Sequence, residues 1–458
     1  MSKLFTEITS LTKLALPVAL SQLAIIGMGT TDVLLVGRAN TDELAALSLG
    51  NNIWNLVILF FFGIGSITQA LIGRFYGASD IEGLRSQLHQ SLWLTLGLGI
   101  LGLLSILLAA KLLLFAGFDP KMAIRANEYL LAIAWGAIPM VMLPALRGTL
   151  EAMSLTRAVL WINISIFLVN IPLDYALIYG LYGLPELGAE GCAWATASLL
   201  WIALFANFAM LKWHRSIRDL HVLNYFQWPI VRKIRATFLL GLPIGFSVLI
   251  EMSMFSGAGM MIAYFGPVAA SAHSVAISIA SASFMIYLGL GQGMTIRASQ
   301  QLGANANEGA LYSIKVGIMI SMCLALLMSF CFLAWRQQLA SLYSQDLVVI
   351  NLAVKLLLFG AVFQLVDCLQ AVCICALRAY QDTASSAKYQ VFAYWLVGLP
   401  VGVLLGFRFD ISGLNGASAF WFAMLLSLTL SSALIARRLI LVSADSTRVN
   451  GQVYSSKL

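Results

Sequence analysis

Apolar runs of twenty or more residues alternate with short clusters of charged and turn-forming residues, from Leu14 to about Ala436. A bilayer core of roughly 30 Å is crossed by about 20 helical residues, so each run can make one crossing. Cutting the chain at its polar clusters predicts twelve spans. They lie near residues 11–37, 44–73, 87–117, 122–146, 157–180, 190–212, 236–263, 270–300, 311–335, 348–378, 386–407 and 415–437. Several are long enough to tilt or to project beyond the lipid. The basic and aromatic stretch from Trp213 to Trp228 separates two sets of six and reads as a linker along the membrane surface. The expected domains are an N-lobe over 1–213, a linker over 214–230, a C-lobe over 231–437 and a polar, disordered tail over 438–458.

Composition removes the soluble alternative. Hydrophobic residues make up 60% of the 458 and charged residues only 10%, with mean hydropathy +0.89. Soluble domains carry about 25% charged residues, enough to cover a wetted surface. The net charge of +7 is scattered between apolar runs rather than gathered on one face, which argues against a nucleic-acid partner. Of the 27 Lys and Arg residues, 20 fall on the side that holds both termini and seven on the other. Positive residues mark the cytoplasmic side, so both termini are expected there. Cys192, Cys323, Cys331, Cys368, Cys373 and Cys375 all lie in apolar segments without metal-site spacing, and read as small core residues. The first apolar run is too long for the core of a cleavable signal and lacks its cleavage pattern.

Self-comparison exposes a repeat. Leu16-Pro17 returns as Leu242-Pro243. The same offset pairs Ser21 with Ser247, Leu23 with Leu249, Met28 with Met254 and Ala46 with Ala272. It continues without a gap through Gly63 and Gly289, Gly65 and Gly291, and Gly77-Ala78 and Gly303-Ala304. After small insertions Arg147 finds Arg378, and Pro172 finds Pro400. Six spans per repeat return the chain to its starting side, so the halves are parallel. Transporters built from such halves hold substrate near the midplane and expose it to each side in turn.

Four acids lie deep in predicted spans: Asp32, Asp174, Glu251 and Asp367. Intramembrane acids mark ion or substrate paths by default. A structural ion pair is the bland alternative, yet no Lys or Arg is expected at comparable depth, so protons or bound cations must compensate these charges. Asp32 and Asp174 fall at similar depth, roughly 8–9 Å inside the outer boundary at about 1.5 Å per residue. Asn170 is one turn before Asp174 and shares its face. Between them Pro172 has no N–H, which frees the Leu168 carbonyl for a small hard cation or a protonated carboxyl. Ser247 precedes Glu251 by a turn, and Gln364 and Gln370 flank Asp367 at helical spacing. Under the repeat, Asp32 corresponds to Ala258, Asp174 to Gly402 and Glu251 to Ile25. The acids escape a symmetry that the prolines and glycines obey, which favours function over packing. Pro17, Pro172, Pro243 and Pro400 are candidate hinges, against simple kinks that membrane helices tolerate. Met252, Met254, Met260 and Met261 read as core filling or adaptable cavity lining.

With these residues in view the chain resembles the multidrug and toxic compound extrusion (MATE) family, in its NorM-like branch, over nearly its whole length. The resemblance is carried by LALPVALSQLAIIGMGTTDVLLVGR at 14–38, EAMSLTR at 151–157 and VNIPLDYALIYGLYGLPELGAEGCAWATA at 169–197. GLPIGFSVLIEMSMF, FQLVDCLQ and LRAYQDT continue it in the second half. It implies an all-α membrane protein whose two six-helix lobes form a V. It implies antiport: amphipathic, often cationic drugs and dyes leave in exchange for H+ or Na+, with no organic cofactor, from a bacterial inner membrane and as a monomer. By position it assigns cation coupling to Asp32, Asn170, Asp174 and Thr196 in the first lobe, and to Glu251 and Asp367 in the second. Phe363 stands where relatives commonly carry a tyrosine beside the second site, a departure that bears on sodium binding there.

Three rivals fit less well. A lipid-linked oligosaccharide flippase of the same superfamily would be expected to line its cavity with basic residues for pyrophosphate, whereas the deep charges here are acidic. An intramembrane aspartyl protease needs a GxGD motif, which does not occur. A channel would be expected to show a filter loop or charged ring.

Overall fold

The computed structural model describes residues 2–117, 119–181, 183, 185–218, 220–223, 226–408 and 416–445. These residues are nearly all helical. The first half runs through α1 (Ser2–Ala39), α2 (Thr41–Gly65), α3 (Thr68–Gly77), α4 (Ile81–Leu113), α5 (Pro120–Ala134), α6 (Ala137–Ala152), α7 (Thr156–Tyr179), α8 (Ala189–Trp213) and the short α9 (Arg215–Arg218). The second half follows with α10 (Val231–Ala263), α11 (Pro267–Gly303), α12 (Asn307–Ala334), α13 (Arg336–Ser341), α14 (Leu347–Ala379) and α15 (Thr383–Gln390). A π-helical turn over Val391–Gly398 leads into α16 (Leu399–Phe407), and α17 (Ala417–Ala444) closes the described chain. Among the described residues, eleven helical segments are long and apolar enough to cross a membrane. The pair α5 and α6, bent by 42°, supplies a twelfth. The bend falls at Gly136, where a Cβ would press on Leu200 and the Ala197 backbone.

Two compact units organise these helices, Leu20–Gly245 on one hand and the residues up to Ala19 with those from Phe246 onward on the other. The divisions cut α1 and α10, each just beyond a proline, Pro17 and Pro243. The two prolines are partners in the sequence repeat, so the chain changes unit at equivalent points of its two halves.

Within Leu20–Gly245, one core joins Ile58, Ile106, Leu130, Ile133 and Val141. Another gathers Leu84, Leu88, Leu146, Leu150 and Val159, and includes Ile217 and Val222 of the linker. The linker is stitched to α4: Arg85 donates to the Leu220 carbonyl, Trp93 Nε1 to Gln227 and Gln90 to Trp228. In the other unit Trp421, Phe420, Phe363 and Tyr394 form one core, and Tyr287, Met294, Ile314, Leu377 and Ile435 a second. Outward rows such as Leu101, Leu104 and Leu108 on α4 remain exposed, as a lipid-facing surface requires. The last helix continues past Arg438 to Ala444 because Leu439 and Val442 are buried, so this stretch is helical where a disordered tail was expected. Residues 446–458 of the expected tail lie outside the described residues.

Candidate functional site

The start of α8 is set by Gly188, whose φ of 57° suits a residue without a Cβ, and by Glu43, whose Oε2 accepts from Ala189 N at 2.8 Å. Cys192 and Thr196 then follow one turn apart on one face of α8. They meet α7, whose buried positions include Asn170 and Asp174 and whose end is fixed by Gly180 in the left-handed region. The outer part of α1 brings Asp32.

Asn170 stands at the centre of this group. Its Nδ2 donates to Asp174 Oδ2 at 2.6 Å and to Asp32 Oδ1 at 3.3 Å. Thr196 Oγ1 donates to the other oxygen of Asp32, at 3.3 Å. All four residues expected in the first-lobe site are thus joined in one hydrogen-bonded cluster. Asn170 and Asp174 are fully buried, whereas Asp32 and Thr196 keep some exposure. Asn170 Oδ1 and Asp174 Oδ1 are buried with no hydrogen-bond partner among the described residues. A buried acceptor left unpaired costs about 1–3 kcal/mol. Such oxygens are satisfied when a proton or cation joins them.

One further residue belongs to this cluster and a second lies near it, and both escaped the sequence reading. Cys192 is buried as expected, but it is more than core filling. Its Sγ and one oxygen from each of Asp32 and Asp174 all lie within 4.8 Å of one another. Its one-turn spacing from Thr196 was the signal available for it. Tyr129 of α5 lies within electrostatic reach of the same three groups, and nothing in its sequence neighbourhood marks it.

The second-lobe acids are assembled differently. Glu251 on α10 and Asp367 on α14 lie within electrostatic reach of each other, but no hydrogen bond joins them among the described residues. Tyr394, in the middle of the π-helical turn, lies near both and exchanges hydrogen bonds of 2.6 and 2.9 Å with Gln370. Gln364 accepts from Tyr287 at 2.9 Å. The two glutamines therefore hold tyrosines rather than carboxylates. Ser247 Oγ is buried without a partner among the described residues, and Phe363 packs against Phe255 and Trp421 at centroid distances of 6.1 and 6.2 Å.

One base comes within electrostatic reach of this side, from the last turn of α14. Arg378 acts electrostatically on Glu251, and its Nε is buried with no hydrogen-bond partner among the described residues. Its repeat counterpart Arg147 is differently engaged, donating to Glu151 at 3.0 Å and to Gln22 at 3.2 Å. The residue matching Glu151 is Asp382, which Arg438 takes at 2.6 Å. Glu151 and Glu7 are also buried acids within helices, beyond the four expected, and both carry arginine partners. Asp32, Asp174, Glu251 and Asp367 make no ion pair among the described residues.

The model of the MatE family matches residues 17–176 and again 243–404, two copies in the register of the sequence repeat that together cover most of the chain. This chain belongs to the MatE family. Multidrug resistance protein MdtK of Edwardsiella ictaluri is 32% identical over 443 residues, 96% of each chain. Multidrug resistance protein PmpM of Pseudomonas aeruginosa is 34% identical over 437 residues, covering 94% of this chain and 91% of that one. Among solved structures, the eukaryotic MATE transporter AtDTX14 matches with TM-score 0.87 over 98% of this chain and 99% of its own, at 18% identity. A MOP superfamily transporter from Pyrococcus furiosus, whose binding pocket has reverse polarity suggesting a different function, matches with TM-score 0.82 at 18% identity over 95% and 96%. The chain is thus a multi-pass membrane transporter of the MATE fold, built from two parallel six-span repeats, and not an enzyme.

Proposed function

We propose that this MATE-family protein is a multidrug exporter of the bacterial inner membrane, exchanging amphipathic and often cationic compounds for H+ or Na+ by alternating access within one chain. The observation that carries the reading is the Asp32–Asn170–Asp174 cluster, buried, unpaired with any base among the described residues and holding two unsatisfied oxygens. Such a group gains most when a small cation arrives from the side on which Asp32 is partly exposed. The names of the relatives support the multidrug substrate class, and the acidic sign of the cluster fits a cationic counter-ion better than a phosphate-bearing lipid.

In this reading both termini are cytoplasmic, the two six-span repeats run over 1–213 and 231–437, and the coupling residues are Asp32, Asn170, Asp174 and Thr196 with Glu251 and Asp367. Cation binding draws Asp32 toward Asn170 and Asp174 and shifts the outer part of α1, with Pro17 and Pro243 as hinges of α1 and α10 and Pro172 and Pro400 as flexible points in their spans. A coupling of about 1–3 kcal/mol between cation and drug binding suffices for exchange.

Purified protein in liposomes, given proton and sodium gradients separately, tests the proposal. Asp32→Asn is expected to abolish ethidium export while the protein remains folded. Unimpaired export by that variant overturns the first-lobe mechanism. Loss of only the sodium-driven component in Glu251→Gln would assign sodium to the second lobe.

A further inference from the structure

We infer that the Asp32–Asp174–Cys192 group is also a binding site for a thiophilic divalent cation of the Zn2+ or Cd2+ class. The inference shares two carboxylates with the coupling site proposed above but does not require that they drive transport.

A sulfur atom and two carboxylate oxygens, from α8, α7 and α1, converge within 4.8 Å. A tetrahedral zinc ion takes sulfur at about 2.3 Å and oxygen at about 2.0–2.2 Å, which separates its ligands by about 3.5 Å. The three donors therefore need to close by about 1.3 Å at most. A fourth donor is at hand. Asn170 is fully buried and its Nδ2 bonds both aspartates, so its amide sits at the group, and its Oδ1 has no partner. Rotating that amide would present Oδ1 to an ion. Asp174 Oδ1, equally buried and unpartnered, offers a second lone acceptor. These two orphaned oxygens are independent of the sulfur, and both call for a positive ligand.

Cys192 decides the class of ion. A proton or sodium ion gains nothing from sulfur, whereas zinc and cadmium favour it. Two carboxylates and a thiolate also supply more negative charge than a monovalent ion needs. On binding, the Sγ–H bond breaks, sulfur keeps the electron pair and gives it to the metal, and the proton leaves to solvent. Entry is open at Asp32 and Thr196, the two partly exposed members of the cluster.

Full-length protein in detergent, titrated with Cd2+ alone, tests the inference through the sulfur-to-cadmium charge-transfer band in the ultraviolet. Cys323 is exposed and Cys331 partly exposed, so both are first replaced by Ser to remove competing thiols. One saturating band is expected, at about one ion per chain, lost in Cys192→Ser and shifted at least tenfold to higher Cd2+ in Asp174→Asn. Circular dichroism and elution volume verify that each variant is folded, and Gly97→Ala, where an added Cβ meets nothing within 4 Å, serves as a folded variant that keeps the band. Absence of the band, its persistence in Cys192→Ser, or an unchanged midpoint in Asp174→Asn each overturns the site. Because no gradient and no drug are present, a missing band beside loss of export in Asp32→Asn defeats this inference alone. A Cys192-dependent band beside full export in Asp32→Asn defeats the exporter mechanism alone.

Discussion

Gly289 packs so tightly on Ala19 that a Cβ on the glycine would run into the Ala19 backbone. In the register of the repeat, Gly289 answers to Gly63 and Ala19 to Gly245. Gly63 meets Gly245 in the same manner, its Cβ falling 3.0 Å from the Gly245 Cα. The two close approaches are one packing contact made twice. They secure the first part of α1 to α11 and the first part of α10 to α2, each within its own compact unit. Without water to drive helices together, small residues that let backbones approach are what hold them in lipid.

Gly289→Val is therefore expected to lower the melting temperature of the detergent-solubilised protein, with overpacking costing about 1–3 kcal/mol or more. Gly97→Ala, where a Cβ meets nothing within 4 Å, is the control. It should be neutral or stabilise by about 0.5–1 kcal/mol through helix propensity. Equal melting points for the two variants would contradict the packing account.

Glu7 anchors the beginning of α1 by a second means. Arg297 donates to its two oxygens at 3.1 and 3.2 Å, and the Ser313 hydroxyl adds a further bond. Hydrogen bonds to a charged partner contribute about 1.5–3 kcal/mol. Glu7→Ala and Arg297→Ala should each destabilise the protein, and the double variant should be less destabilised than the sum of the two. Additive losses in thermal melts would mean that the pair does not act as a unit.

Asn170→Ala removes the donor that both aspartates share, so drug efflux in intact cells should fall at least tenfold. Thr196 contributes one longer bond of 3.3 Å. Thr196→Val is expected to lose about two- to fivefold, in line with the loss of one long hydrogen bond, and Thr196→Ser to retain activity. A larger deficit in Thr196→Val than in Asn170→Ala would reverse the ranking.

Tyr394→Phe strips Gln370 of its partner inside a fully buried environment. An unsatisfied buried amide costs about 1–3 kcal/mol, and thermal melts should register it. Restoring stability by adding Gln370→Leu to Tyr394→Phe would show that the orphaned amide, rather than lost ring packing, causes the drop.

Span number, the repeat and the acids were readable because each is written in local or periodic sequence. A run of twenty apolar residues has one stable solution in a bilayer. A shared packing contact forces Gly63 and Gly289 alike to be glycine. The asymmetry of the acids was readable too, and the fold gives its reason. Ala258, opposite Asp32 in the repeat, is fully buried, and a Cβ on Gly402, opposite Asp174, would meet the Phe420 ring at 2.9 Å. The second place has no room for a carboxylate. Less was legible around Glu251, because Arg378 lies far along the chain at the end of α14 and its reach depends on how that helix packs.

By itself, then, the sequence determined what must be buried in lipid, where the chain repeats and which side chains are too costly to be there without a purpose, since those are matters of composition and period. Only the tertiary structure decided which of those side chains meet. It put Asn170 between two aspartates, added Cys192 to them with Tyr129 nearby, gave Glu7 and Glu151 to arginines and left the Nε of Arg378 without a partner among the described residues. Contacts between helices far apart in sequence follow from how apolar faces interlock, and no local pattern encodes that.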